Sequence, residues 1–259
     1  MNGENGNGKK REAKPPKPRK NALLWQAWQH WDELVKMRAK HNQRLAFIEQ
    51  GKSNLDAGFE RNIAESLDPL IPLAVKEMAS YGACVGPVWE WLTAIKGIGD
   101  SLAAQLLAQI DDIMLFATVS KLWRFAGWAV FDGKRERPVS AEERHYSTRL
   151  KSTVWLIVHQ FILQQTPVWS DLYYAEKARL RALHPEPEPA REGSRWPFDF
   201  TDSHVDRMAQ RRVAKEFLKQ LWIVWRASEP LGGVDMPAWD PMLEKILTED
   251  TGQRAGDAQ

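Results

Sequence analysis

One cysteine in 259 residues, Cys84, leaves no internal disulfide, no Cys-rich zinc module and no Cys-ligated iron–sulfur cluster. Long apolar runs are missing as well: Val154–Val158 and Leu221–Trp225 fall far short of the roughly 18 residues that span a bilayer. The first twenty residues are rich in Gly, Asn, Lys and Pro and have no apolar stretch of the kind a secretory signal needs. These absences point to a reducing compartment and a cytoplasmic protein without membrane contact. His30, His41, His145, His159, His184 and His204 form no metal-ligand spacing, so neither a metal nor a cofactor is expected.

What is present is a globular composition, 43% hydrophobic and 27% charged, in a chain long enough to bury a core. The formal net charge of +2 hides an uneven distribution. Residues 1–20 hold seven Lys/Arg against Glu4 and Glu12, a net +5 that leaves −3 for the rest. A basic arm of this kind is drawn to any polyanion, or serves only to solubilise the chain.

Apolar residues recur at three and four spacings and no Val/Ile/Thr stretch alternates for long, so the fold class is all-α. Leu24, Trp28, Trp31, Val35 and Leu45 form a stripe on a long first helix. A helix packed on its own domain is favoured, with a short coiled coil or a homodimer through this Trp-rich face as the other reading. The organisation reads as a disordered basic tail (1–21), a helical region (22–82), a compact helical domain (83–183), a Pro-rich linker (184–200), a basic amphipathic helix (201–228) and a loose C-terminal segment (229–259). Pro69 and Pro72 bend or divide the second helical stretch, and Ser203 with Asp206 marks the start of the last helix. In that helix Val205, Ala209, Val213, Phe217 and Leu221 line one side. Arg207, Arg211, Lys215 and Lys219, offset by about 200°, line the other.

The stretch Trp91–Ile110, WLTAIKGIGDSLAAQLLAQI, carries the chemistry. It fits a helix-hairpin-helix: Leu92 and Ile95 on a first helix, Gly97 and Gly99 around Ile98 at the turn, and Ala103, Leu106 and Leu107 inside a second helix. The glycines allow special backbone angles and a close approach, and Ile98 pins the turn to the core. The turn amides and the N-terminus of the second helix then suit a DNA phosphate, Lys96 adds charge, and such contacts grip the backbone with little base discrimination. Lys134–Lys151, with six Lys/Arg, and the Arg207, Arg211, Lys215 and Lys219 stripe would extend the footprint. Asp111-Asp112 is better read as a surface turn than as a metal pair, and the tryptophans as packing rather than base-stacking groups.

The segments IKGIGDSLAAQLLAQIDDI (Ile95–Ile113), FATVSKLWRFAGW (Phe116–Trp128) and YSTRLKSTVW (Tyr146–Trp155) resemble the C-terminal domain of the insertion-sequence-110 group of DEDD transposases. HVDRMAQRRVAKEFLKQLWIVWR (His204–Arg226) is similar to the closing helix of phage and prokaryotic relatives, which carries the resemblance over residues 88–228. In that group a RuvC-like N-terminal domain supplies an acidic tetrad, and a serine after the Ala-Gly segment is the proposed nucleophile. Here the residues before the hairpin leave no room for such a sheet. After Ala126-Gly127 the chain shows Asp132 where the resemblance calls for serine. Ser140 reads as a helix cap, and neither Ser140 nor Ser147 has an evident base.

The expectation is therefore a DNA-binding protein of transposition or recombination, without catalytic residues of its own and not active alone. Two alternatives stand beside it. One is a split recombinase with its nuclease domain in trans; the other is a helical interaction module without DNA binding.

Overall fold

The computed structural model describes residues 18–131, 134–135, 144–190 and 197–229. Most of the basic tail, Asp132, Ser140, residues 136–143 of the basic Lys134–Lys151 stretch and the segment from Pro230 onward, all of which figure in the sequence reading, lie outside them. Among the described residues the architecture is all-α: α1 (Ala22–Glu49), α2 (Ala57–Leu67), α3 (Leu70–Ala83), α4 (Pro87–Ala94), α5 (Asp100–Ile110), a 3-10 turn at Ile113–Leu115, α6 (Val119–Phe125), α7 (Thr148–Leu163), α8 (Trp169–Leu183) and α9 (Asp202–Ser228). The only strands among the described residues are two-residue antiparallel ribbons, β1 (Val130–Phe131) with β2 (Lys134–Arg135) and β3 (Glu188–Pro189) with β4 (Phe198–Asp199). No helix among these residues is long and apolar enough to cross a membrane.

Two helices form the centre. In α5 every residue from Ala103 to Ile110 is buried, and its alanines let α1, α3, α4 and α7 approach closely. In α9 the apolar face expected from Val205, Ala209, Val213, Phe217 and Leu221 is buried, but the helix is not two-faced. Ala214, Leu218, Gln220, Trp222, Ile223, Trp225 and Arg226 are buried as well, because α4, α6, α7 and α8 surround it. Phe217 is the hub. Its ring stacks on Trp91 of α4 at 6.1 Å and meets Phe161 of α7 and Trp169 of α8 edge-on at 5.6 and 5.7 Å.

The first part of the Trp-rich stripe of α1 packs within the chain, while Trp31, Val35 and Leu45 stay half-buried. Leu24, Ala27 and Trp28 are buried, and α1 lies along α2, α3 and α5. Glu60, buried on α2, is clasped by His41 at 2.5 Å and Arg44 at 3.2 Å, both from α1. Pro69 falls between α2 and α3 and Pro72 is accommodated in the first turn of α3, where its missing N–H costs nothing. Asp111 and Asp112, at the end of α5, anchor the entering chain. Asp111 accepts from the Asn21 amide at 3.0 Å, and Lys20 pairs with Asp112 at 3.7 Å and with Glu229 at 2.5 Å.

The Pro-rich connection between α8 and α9 is helix-free as its prolines require, yet its described ends do not run extended and apart. They pair as β3 and β4, and His184 stacks on Phe200 at 3.5 Å. The cap of α9 is Thr201, whose hydroxyl accepts from the His204 amide, one residue pair earlier than the Ser203 start read from the sequence.

Candidate nucleic-acid interface

Pro87 at the first position starts α4, and Ile95 ends it. Five residues, Ile95–Gly99, then turn the chain into α5. Ile98 is 3% exposed and its amide donates to the Ile95 carbonyl at 3.0 Å, so the apolar side chain does pin the bend to the core. The Lys96 carbonyl accepts from the Thr166 hydroxyl at 2.9 Å, which ties the turn to the α7–α8 junction, while the rest of Lys96 is exposed.

The two glycines have different reasons to be there. Gly97 sits at φ +95°, a left-handed angle, and an added Cβ would lie 3.4 Å from Cβ of Gln160 and 3.5 Å from the Thr166 hydroxyl. Gly99 has an ordinary φ of −87° and nothing within 4 Å of where a Cβ would be. The expectation that both glycines supply special backbone angles is corrected on this point. Gly99 keeps a surface open instead.

Gly99 is the N-cap of α5 and offers no capping side chain. The amides of Gly99, Asp100, Ser101 and Leu102 make no hydrogen bond among the described residues, and Gly99 and Asp100 are exposed. Uncapped first-turn amides concentrate partial positive charge that an anion can meet. Asp100, which the sequence reading passed over, places a carboxylate on this first turn, where it already interacts with the helix dipole.

The cations of α9 are not equivalent. Arg207 is exposed and has no partner among the described residues; Arg212, outside the expected stripe, is also exposed but lies close enough to Glu176 to help the Arg179 hydrogen bond hold that carboxyl below its usual range. Arg212 lines a shallow groove between α8 and α9 with Leu172, Ala175, Glu176 and Arg179. Arg211 is half-buried. Lys219 is half-buried and pairs with Glu216 at 3.1 Å. Lys215 lies 4.1 Å over the ring of Trp123, whose indole nitrogen donates to the Lys215 carbonyl at 2.9 Å. Burial under α6 holds its ammonium below the usual lysine range, and the charges of Arg212 and Arg211 push the same way. No hydrogen bond or ion pair among the described residues joins Lys96 to these α9 cations.

Residues 90–174 match the Transposase IS116/IS110/IS902 family. No curated protein matches the chain. The transposase-family segment begins inside α4 and ends inside α8, so it contains the whole turn, α5, α6 and α7. It stops before α9, and the resemblance read through His204–Arg226 lies beyond it. Within the transposase-family segment, Gly127 has φ +72°, and an added Cβ would meet the Tyr146 ring at 2.7 Å and the Lys151 stem at 3.0 Å. The Ala126-Gly127 segment is thus packed on the start of α7. Ser147 is spent there as the N-cap, accepting from the Leu150 amide at 3.2 Å. Burial and the hydrogen bond to Asp206 raise the Tyr173 phenol well above its usual range, which keeps it neutral.

Proposed function

We propose that the protein binds DNA through its phosphate backbone as a transposase-related component of DNA transposition or recombination. A helix-hairpin-helix formed by α4, the Ile95–Gly99 turn and α5 makes the principal contact. The observation that carries this reading is the open, uncapped amide edge at Gly99 and Asp100, lying inside the transposase-family segment. Phosphate oxygens accept from those amides, Lys96 supplies a nearby charge, and Arg207, Arg211, Lys215 and Lys219 extend the contact, joined by Arg212. Arg207 contributes most, because it is exposed and not committed to a carboxylate, and the exposed Arg212 adds charge that it shares with Glu176. Contacts of this kind hold the backbone of any sequence.

Fluorescence anisotropy on a mixed-sequence duplex, titrated over a range of salt, tests this. The expected result is binding at low salt that weakens linearly on a log–log plot, with the slope reduced by about one for each of Lys96→Ala, Arg207→Ala and Arg212→Ala. Absence of binding at low salt would overturn the proposal, as would a slope indifferent to all three substitutions.

A further inference from the structure

Among the described residues the tryptophans are buried or partly covered, with one exception. Among the described residues Trp28, Trp128, Trp169, Trp222 and Trp225 are buried and Trp25, Trp31, Trp89, Trp91 and Trp123 are partly covered, whereas Trp155 is 42% exposed. It stands on the outward side of α7, away from the buried Leu150, Val154, Ile157 and Phe161. A large ring left in water contributes little to packing and asks for another reason to be there.

The ring is presented rather than stray. His159, one turn on, stacks against Trp155 with centroids 5.0 Å apart and planes 11° from parallel, which braces the indole while it stays 42% exposed. One turn earlier on the same side is Lys151, whose ammonium lies 4.6 Å from the Tyr146 ring centroid. Lys151, Trp155 and His159 therefore run along one side of α7, with Tyr146, just before the helix, against the Lys151 ammonium: three rings and one cation. Leu156 and Leu163 continue the outward surface with apolar area. Arg149 takes no part, being paired with Asp32 at 3.1 Å.

We propose that this strip is a stacking platform for unpaired nucleobases of single-stranded DNA, with Trp155 as the principal ring. An indole accepts the face of any base, and a neighbouring cation, here Lys151, meets a phosphate, which is the chemistry that binds single strands without reading sequence. The platform shares α7 with Gln160, which seats Gly97 of the turn, about 8 Å further along the helix axis and about 140° around it. A strand opened from a duplex held at the turn would pass around α7 to reach the ring. The inference rests on the DNA-binding reading and adds to it a preference for opened or single-stranded regions.

The test compares wild type, Trp155→Ala and Trp155→Phe in the full chain for binding a fluorescein-labelled oligothymidylate, a mixed-sequence duplex and an oligouridylate. The expected result is that Trp155→Ala weakens oligothymidylate binding about tenfold, as loss of one stacked base does. Duplex binding should change by less than about twofold, since backbone contacts at the turn are untouched. Trp155→Phe, which keeps a ring and guards against a folding artefact, should retain most of the affinity. Equal losses on single strand and duplex, or no loss on either, would overturn the platform. A loss confined to oligouridylate would overturn its assignment to DNA. If the wild type binds the single strand through Trp155 but no duplex, the platform stands and the hairpin reading falls; if it binds none of the probes, both fall.

Discussion

The hydroxyl of Thr166 donates to the carbonyl of Lys96 across 2.9 Å, joining two segments seventy residues apart in the chain. This bond holds the turn before α5 in the orientation that opens its amides. Thr166 is itself buried at the α7–α8 junction, so the bond is partly shielded from competing water.

Replacing Thr166 with valine keeps the shape and removes the donor. The Lys96 carbonyl is then left without its partner in a half-buried setting, and stability should fall by about 1–2 kcal/mol in urea unfolding. Duplex affinity should fall with it. Unchanged stability would show that solvent replaces the hydroxyl without cost.

Gly99→Ser separates stability from binding. A serine at this N-cap has room, since nothing lies within 4 Å of the new Cβ, and its oxygen would accept from the first-turn amides of α5. Stability should rise by a few tenths of a kcal/mol. Duplex affinity should fall about fivefold, because the same amides can no longer serve a phosphate. Melting temperature and anisotropy moving in the same direction would contradict the role given to those amides.

Asp100→Asn should do the reverse. Removing the carboxylate costs the helix about 0.3–1 kcal/mol of dipole interaction, seen as a lower melting temperature. It also removes a repulsion of the phosphate, so duplex affinity should rise about two- to fivefold by the same interaction. Weaker binding in this variant would mean that the carboxylate supports the interface.

Lys215 sets a pH dependence. Its folded pKa lies below its unfolded value, so between the two the unfolded chain binds more protons and stability rises with pH, up to the ordinary lysine range. Lys215→Met has no such group, so the stability difference, wild type minus variant, should grow as the pH rises toward the ordinary lysine range. Urea unfolding at several pH values measures it. A difference that stays flat would show that Lys215 is as well solvated as in the unfolded chain.

Much of the helical framework was legible in the chain itself. The three-and-four spacing of apolar residues gives the helices, Pro69 separates α2 from α3, and Gly97-Ile98-Gly99 between two apolar runs marks the turn. The role of α9 was not legible. Its Arg207, Arg211, Lys215 and Lys219 repeat reads as a solvated face, but a lysine stem is apolar, and Lys215 lies against Trp123 while Lys219 pairs with Glu216. Trp155 and Trp225 look alike in sequence, each in an apolar run, and only packing decides that one is exposed and the other buried.

Sequence alone therefore determined the helical class, the place of the turn and the family to which residues 90–174 answer, because each depends on neighbours a few residues apart. The tertiary structure decided which of two glycines is strained, which cations of α9 are engaged, and which described tryptophan faces outward. Those are settled by groups far apart along the chain, such as Thr166 over Lys96 and α6 over α9, whose meeting no local pattern encodes.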